Sequence, residues 1–180
     1  MEKYVALLRG INVGGNNIIK MVDLKKTFED LGFAQVKTYI QSGNVIFSSK
    51  NTTKIELITA IENSVSNKFN YHCRIVLLSK TEFSNQLMSA PADFGIDNEK
   101  YRYDVIFLKE TTTTENALKD IKLRERIDEV FAGENVLFFR RRFIDLSKSK
   151  LTKIVSSPIY QHITIRNWKT SIKLLEMMNE

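Results

Sequence analysis

Tyr4-Val5-Ala6-Leu7-Leu8-Arg9-Gly10-Ile11-Asn12-Val13-Gly14-Gly15-Asn16-Asn17 joins an apolar run to a loop of glycine and asparagine. The apolar residues Val5 to Leu8 follow one another without alternation, as in a central strand covered on both faces. Beyond the loop, Met21, Leu24, Phe28 and Leu31 recur at helical spacing and Gly32 supplies a stop, so a helix from Met21 to Leu31 is expected. Val36 to Gln41 and Val45 to Ser48 read as two short strands across a tight turn at Ser42-Gly43-Asn44. Ile55, Ile58, Ile61, Val65 and Phe69 mark a longer helix, and Arg74 to Leu78 a further strand. The order β-α-β-β-α-β is that of the split βαβ, or ferredoxin-like, arrangement.

The second half reads as a degraded copy of the first. A short helix near Lys80 to Ser89 and a loop through Pro91, with Phe94 packed, lead to an apolar strand from Tyr103 to Leu108. Thr113 or Thr114 could cap a helix running toward Arg124. Val136 to Arg140 and Phe143 to Leu146 are expected as a strand pair. Ser147 or Ser149 could cap a short helix carrying Leu151, Ile154 and Val155, which Pro158 ends. A weak strand from Ile159 to Thr164 and a helix from Arg166 to Met178, with Trp168, Ile172 and Leu175 inward, complete the pattern.

At 180 residues with 43% hydrophobic composition, the chain can build one core or two small ones. Its net charge of +6 leans toward anionic partners. That excess is local: Arg140 to Lys173 holds nine Lys or Arg against one acid, Asp145. A single cysteine, Cys73, allows no internal disulfide, and no stretch is long enough for a secretory core or a membrane span. A cytoplasmic setting is therefore expected.

In a split βαβ unit the first two strands are parallel, which places Arg9 to Asn17 beside Gln41 to Asn44 at one edge of the sheet. Both segments are rich in amides and in backbone that can approach a ligand, and Arg9 offers a fork for carboxylate or phosphate. The plainer alternative is that glycine permits positive φ and asparagine satisfies backbone groups. The loop matches neither the dinucleotide nor the P-loop fingerprint. On the last helix, Arg166, Lys169 and Lys173 would form a basic stripe, with Thr164 capping its start. Trp168 reads as core. The three arginines Arg140 to Arg142 alternate on a strand, so at least one should meet an acid across the sheet, while Lys148, Lys150 and Lys153 extend a basic surface. His72, Cys73 and His162 show no ligand or dyad spacing.

The chain resembles the bacterial family catalogued as domain of unknown function 1697. The likeness rests on Tyr4 to Gly15, on Thr38-Tyr39-Ile40-Gln41-Ser42-Gly43-Asn44-Val45-Ile46-Phe47, on Ser149-Lys150-Leu151 and on Thr164-Ile165-Arg166-Asn167-Trp168-Lys169-Thr170. The family carries no assigned activity. A signature of Arg, Asn, Gln and Ser in exposed loops nonetheless tips the balance from packing toward a site.

The expected architecture is α+β, with two packed ferredoxin-like (βαββαβ) subdomains, residues 1–79 and a degenerate 80–180 bearing a C-terminal helix. The expected function is binding of a nucleotide or nucleic acid at a composite polar site. Arg9 and Arg166 would engage phosphate, with Asn12, Gln41, Asn44 and Asn167 orienting the ligand. Gly14, Gly15, Ser42 and Lys150 complete the set. A small-molecule enzyme using the same pocket and a protein-interaction module are the alternatives. No cofactor, metal or membrane partner is implied.

Overall fold

The apolar run Val5 to Leu8 becomes an inner strand. In the computed structural model, which describes residues 1–50 and 53–180, β1 (Glu2–Leu8) lies between β3 (Asn44–Ser49) and β4 (Ile75–Ser79), with β2 (Ala34–Tyr39) outside β3. Every pairing in this sheet is antiparallel, and Val5 stands opposite Ile46 on one side and Leu78 on the other. Because side chains alternate along a strand, Tyr4, Ala6 and Leu8 face one way. They pack with Leu24 and Phe28 of α1 (Met21–Asp30) and with Leu57, Ile61 and Val65 of α2 (Lys54–Phe69). Val5 and Leu7 point the other way and are fully buried too, so both faces are covered. Phe47 anchors the first core, edge-on to Phe28 at 5.4 Å and stacked on Phe33 at 4.4 Å between ring centres.

Local chemistry sets the helix ends. Thr53 caps α2 by accepting from the Glu56 amide, while the Glu56 carboxylate accepts from the Thr53 amide at 3.0 Å and its hydroxyl at 2.7 Å. Hydrogen bonds from Thr53 hold that carboxyl below its ordinary value of 4.5. α1 has no side-chain cap and ends ahead of Gly32, whose φ of +82° the missing side chain permits.

Compactness divides the described residues into two units, Met1–Phe83 with Leu174–Glu180, and Ser84–Lys173. The first six strands and helices thus have the β-α-β-β-α-β order read from sequence, followed by α3 (Lys80–Met88).

The second unit repeats the strand order of the first. β5 (Tyr101–Leu108) lies between β7 (Val136–Arg142) and β8 (Ile163–Asn167), with β6 (Asp128–Gly133) outside β7, all antiparallel. The molecule is an α+β protein of two four-stranded sheets. Several expectations change here, among them the final strand, which runs from Ile163 to Asn167 and not from Ile159 to Thr164. Phe143 to Leu146 is not a strand: the partner of β7 is β6, an edge strand whose one buried residue is Asp128. α4 (Thr114–Asp120), capped by Thr113, stops at Ile121 rather than running to Arg124. Three short 3-10 turns, Phe143–Lys148, Leu151–Ser156 and Pro158–His162, occupy the place that α2 takes in the first copy. The last helix, α5 (Trp168–Asn179), begins two residues later than expected, which leaves Arg166 and Asn167 on β8.

Ala117, Leu118 and Ile121 from and after α4 join Leu151, Ile154 and Ile159 over Ile106 and Leu137. Trp168 is half-buried and packs edge-on to Phe94 at 5.2 Å. A Cβ on Gly95, at φ +86°, would lie 2.1 Å from the indole nitrogen, so only glycine lets the chain pass there.

Candidate functional site

In the first unit, β1 and β2 both run antiparallel to β3 and hence parallel to each other, which brings the loop after β1 and the turn after β2 to one edge. The loop is itself a small hairpin. The Asn12 amide donates to the Asn17 carbonyl at 3.1 Å and the Asn16 amide to the Val13 carbonyl at 3.0 Å. Gly14 and Gly15, at φ +59° and +79°, form its exposed tip, the conformation of a two-residue turn that needs positive φ twice.

Asn12 ties this hairpin down. Its Nδ2 donates to the carbonyls of Ile19 at 3.0 Å and Gln41 at 2.8 Å, and its Oδ1 accepts from the Ile19 amide at 2.8 Å. The contact with Gln41 uses its backbone, and its side chain is exposed. Asn44 is wholly buried, donating to the Tyr39 carbonyl at 3.0 Å and the Ser42 hydroxyl at 2.9 Å. Gly43 fits under the loop because a Cβ there would meet Ile11 at 2.7 Å. Arg9 donates its amide to the Arg74 carbonyl at 2.9 Å, and its half-buried side chain acts electrostatically on Tyr71, whose phenol burial pushes up.

In the second unit, Arg166 is buried on β8, and its guanidinium donates to the Thr164 hydroxyl and the Ile165 carbonyl, both at 2.8 Å. Burial pushes it down to about 10. The expected helical stripe therefore does not exist: Arg166 and Thr164 are strand residues, and Lys169 and Lys173 alone are on α5. A strand is favoured there because Ile163 and Ile165 bracket Thr164, β-branched in succession. Asn167 donates to the Tyr103 carbonyl at 3.0 Å and accepts from the Lys169 amide at 3.0 Å, bridging strand and helix. The three arginines are all paired. Arg140 holds Glu129, directly across the β6–β7 ladder, at 2.5 Å and Asp93 at 2.6 Å, Arg141 holds buried Asp104, and Arg142 lies 3.6 Å from Asp145.

A group of lysines in the second unit contrasts with these engaged side chains. A cleft of about 380 Å³ in the second unit is flanked by Lys119 and Lys122 on one side and by Lys150 and Lys153 on the other. Lys119 pairs with Glu115 at 3.2 Å, whereas Lys122, Lys150 and Lys153 have no carboxylate partner among the described residues. Buried Asp128 sets the spacing of the two walls, since one carboxylate oxygen accepts from the amides of both Arg124 and Lys150 at 2.9 Å. Lys148 is paired with Asp145 at 2.9 Å.

The sequence pointed to Lys148, Lys150 and Lys153 as a basic surface, of which the last two line the cleft, and it did not point to Lys119 and Lys122. The signal was in the repeat. α1 and α2 are neighbours in the first copy, so α4 and the segment after β7 should be neighbours in the second.

A similar cleft in the first unit, about 370 Å³, is lined by Lys3, Lys25 and Lys37. There each ammonium is engaged, by the Met178 carbonyl at 3.0 Å, Glu29 at 3.6 Å and Glu180 at 2.8 Å respectively. Among the described residues no group of three His, Cys, Asp or Glu side chains could hold a metal ion, and no helix is long and apolar enough to cross a membrane.

None of the curated proteins matches this chain. A solved structure, that of the conserved bacterial protein SP0830 from Streptococcus pneumoniae, is similar over 98% of both chains, at 30% identity and a TM-score of 0.85. The sequence profile of a family described as protein of unknown function, DUF1697, matches residues 1–138. With the Arg9 to Asn17 loop and the Gln41 to Asn44 turn inside that match, the chain belongs to the DUF1697 family.

Proposed function

We propose that this protein binds a phosphate-bearing anion in the lysine-lined cleft of its second unit. The observation that carries the reading is the meeting of Lys122, Lys150 and Lys153 at one cleft without a carboxylate partner among the described residues. Like charges brought together raise one another's energy, and an anion between them reverses that term. The Ser156 and Ser157 hydroxyls in the same lining already donate to the Lys153 and Ile154 carbonyls, both at 2.8 Å, and so brace the lysine-bearing wall. The polar signature of the first unit serves architecture in this reading. The bonds that Asn12 and Asn44 make to backbone carbonyls support that role.

The test is titration with inorganic pyrophosphate at low and high ionic strength. Wild type is compared with Lys150→Gln/Lys153→Gln and, as a control, with Lys25→Gln/Lys37→Gln. Binding should weaken with salt, fall about tenfold or more in the first variant, and persist in the control. Absence of binding at low salt, or equal loss in both variants, overturns the reading.

A further inference from the structure

Resting on that reading, we infer that the ligand is a small phosphorylated molecule with a flat apolar group, of the nucleoside phosphate class, and not a nucleic acid strand. Three features of the cleft carry this. The first is size: about 380 Å³ falls in the roughly 300–1,000 Å³ range of small-molecule pockets, and is more than ten times the roughly 30 Å³ share of a water molecule. A bare phosphate would leave most of it to solvent.

The second is the division of its lining. Between the lysines of the two walls lie Ile121, Leu151, Ile154 and Pro158, an apolar surface that phosphate cannot use and a heterocyclic base can cover. Leu151 and Ile154 are held by the core beneath, so this surface is preformed.

The third is how the cations are grouped. A strand of nucleic acid is held by cations spread along its path, each releasing counterions. Here the lysines converge, while Arg140, Arg141 and Arg142 of the same unit are bound to acids. Asp120 in the lining would repel a continuous phosphate backbone, yet it can accept from the hydroxyls or N–H groups of a nucleoside.

The experiment compares four probes on the full chain by calorimetric titration: ADP, pyrophosphate, adenosine and single-stranded oligodeoxyadenylate. ADP should bind about tenfold or more tighter than pyrophosphate, because the base adds buried apolar area. Adenosine should bind more weakly than ADP, and the oligonucleotide should not exceed ADP per phosphate. Ile121→Ala should lower the ADP affinity more than the pyrophosphate affinity and so narrow the gap between them. Equal binding of ADP and pyrophosphate overturns this inference and leaves the proposed anion site standing. Tighter oligonucleotide binding replaces the small ligand with a polymer. No binding of any phosphate overturns both.

Discussion

The clefts of the two units are nearly equal in volume, about 380 and 370 Å³, and both are rich in lysine. In the first, Lys3, Lys25 and Lys37 each reach an oxygen of the same unit. In the second, three of four lysines reach none of the described carboxylates. The same distinction separates the polar side chains elsewhere: Asn12, Asn44, Asn167 and the arginines of β7 are engaged by backbone or acids. Residue type alone therefore does not mark a binding position. What marks it is capacity left over after the fold has been satisfied.

That distinction predicts opposite responses to substitution, and the largest should come from an engaged pair. Asp104→Ala strands Arg141 in a nearly dry environment and should cost about 3–5 kcal/mol in urea unfolding. Replacing both by apolar residues, Asp104→Leu with Arg141→Met, should recover most of that loss. A small effect of the single change would mean that the charges of β5 and β7 are no more committed than the lysines.

Asn12 comes next. Asn12→Ala removes three hydrogen bonds and forces alanine into φ +52°, whereas Asn12→Gly loses the bonds and keeps the backbone relaxed. Both should destabilise by about 1–3 kcal/mol, and the alanine variant by about 1 kcal/mol more. Pyrophosphate binding by the folded protein should not change. If it disappears with stability intact, the loop is a site and the contrast drawn above fails.

Thr53→Ala should cost about 1 kcal/mol through the lost cap. Its pH dependence has a definite sign. Folding lowers the Glu56 pKa from 4.5, so the contribution of this carboxylate is complete above the ordinary range and is lost as pH falls through the lowered value. The melting-temperature gap between wild type and variant should be widest near neutrality and narrow in acid, where the bond from the Glu56 amide to the Thr53 hydroxyl remains. Smallest of all, Lys150→Gln/Lys153→Gln should change stability by less than about 0.5 kcal/mol while abolishing most pyrophosphate binding.

The first unit was legible because each of its signals is local and they agree. A doubly buried strand has no alternation, α1 has a clean apolar stripe, and glycine marks the loop tip, the end of α1 and the β2–β3 turn. The second unit was harder because its edge strand hides its pattern. β6 buries only Asp128, and its charged residues read as loop until Glu129 is seen opposite Arg140. The start of α5 was misread because Arg166, Lys169 and Lys173 fit a helical stripe by spacing, while burial of Arg166 on β8 is a tertiary fact. Thr53 and Glu56, three apart ahead of an apolar run, carry the spacing of a capping pair. For the candidate site, Lys150 and Lys153 lay in an evident basic segment, but Lys119 and Lys122 join them only through chain folding.

One consequence follows from the layer over the second sheet. α2 covers the first sheet as one sixteen-residue rod, in which opening any turn disturbs its neighbours. The three 3-10 turns between Phe143 and His162 share no such ladder, and Lys150 and Ser157 interrupt them. The lysine wall on the middle turn is instead anchored from below, by Leu151 and Ile154 in the core and by the Lys150 amide on Asp128 of β6, so its position depends on the sheet it covers and not on a helical ladder.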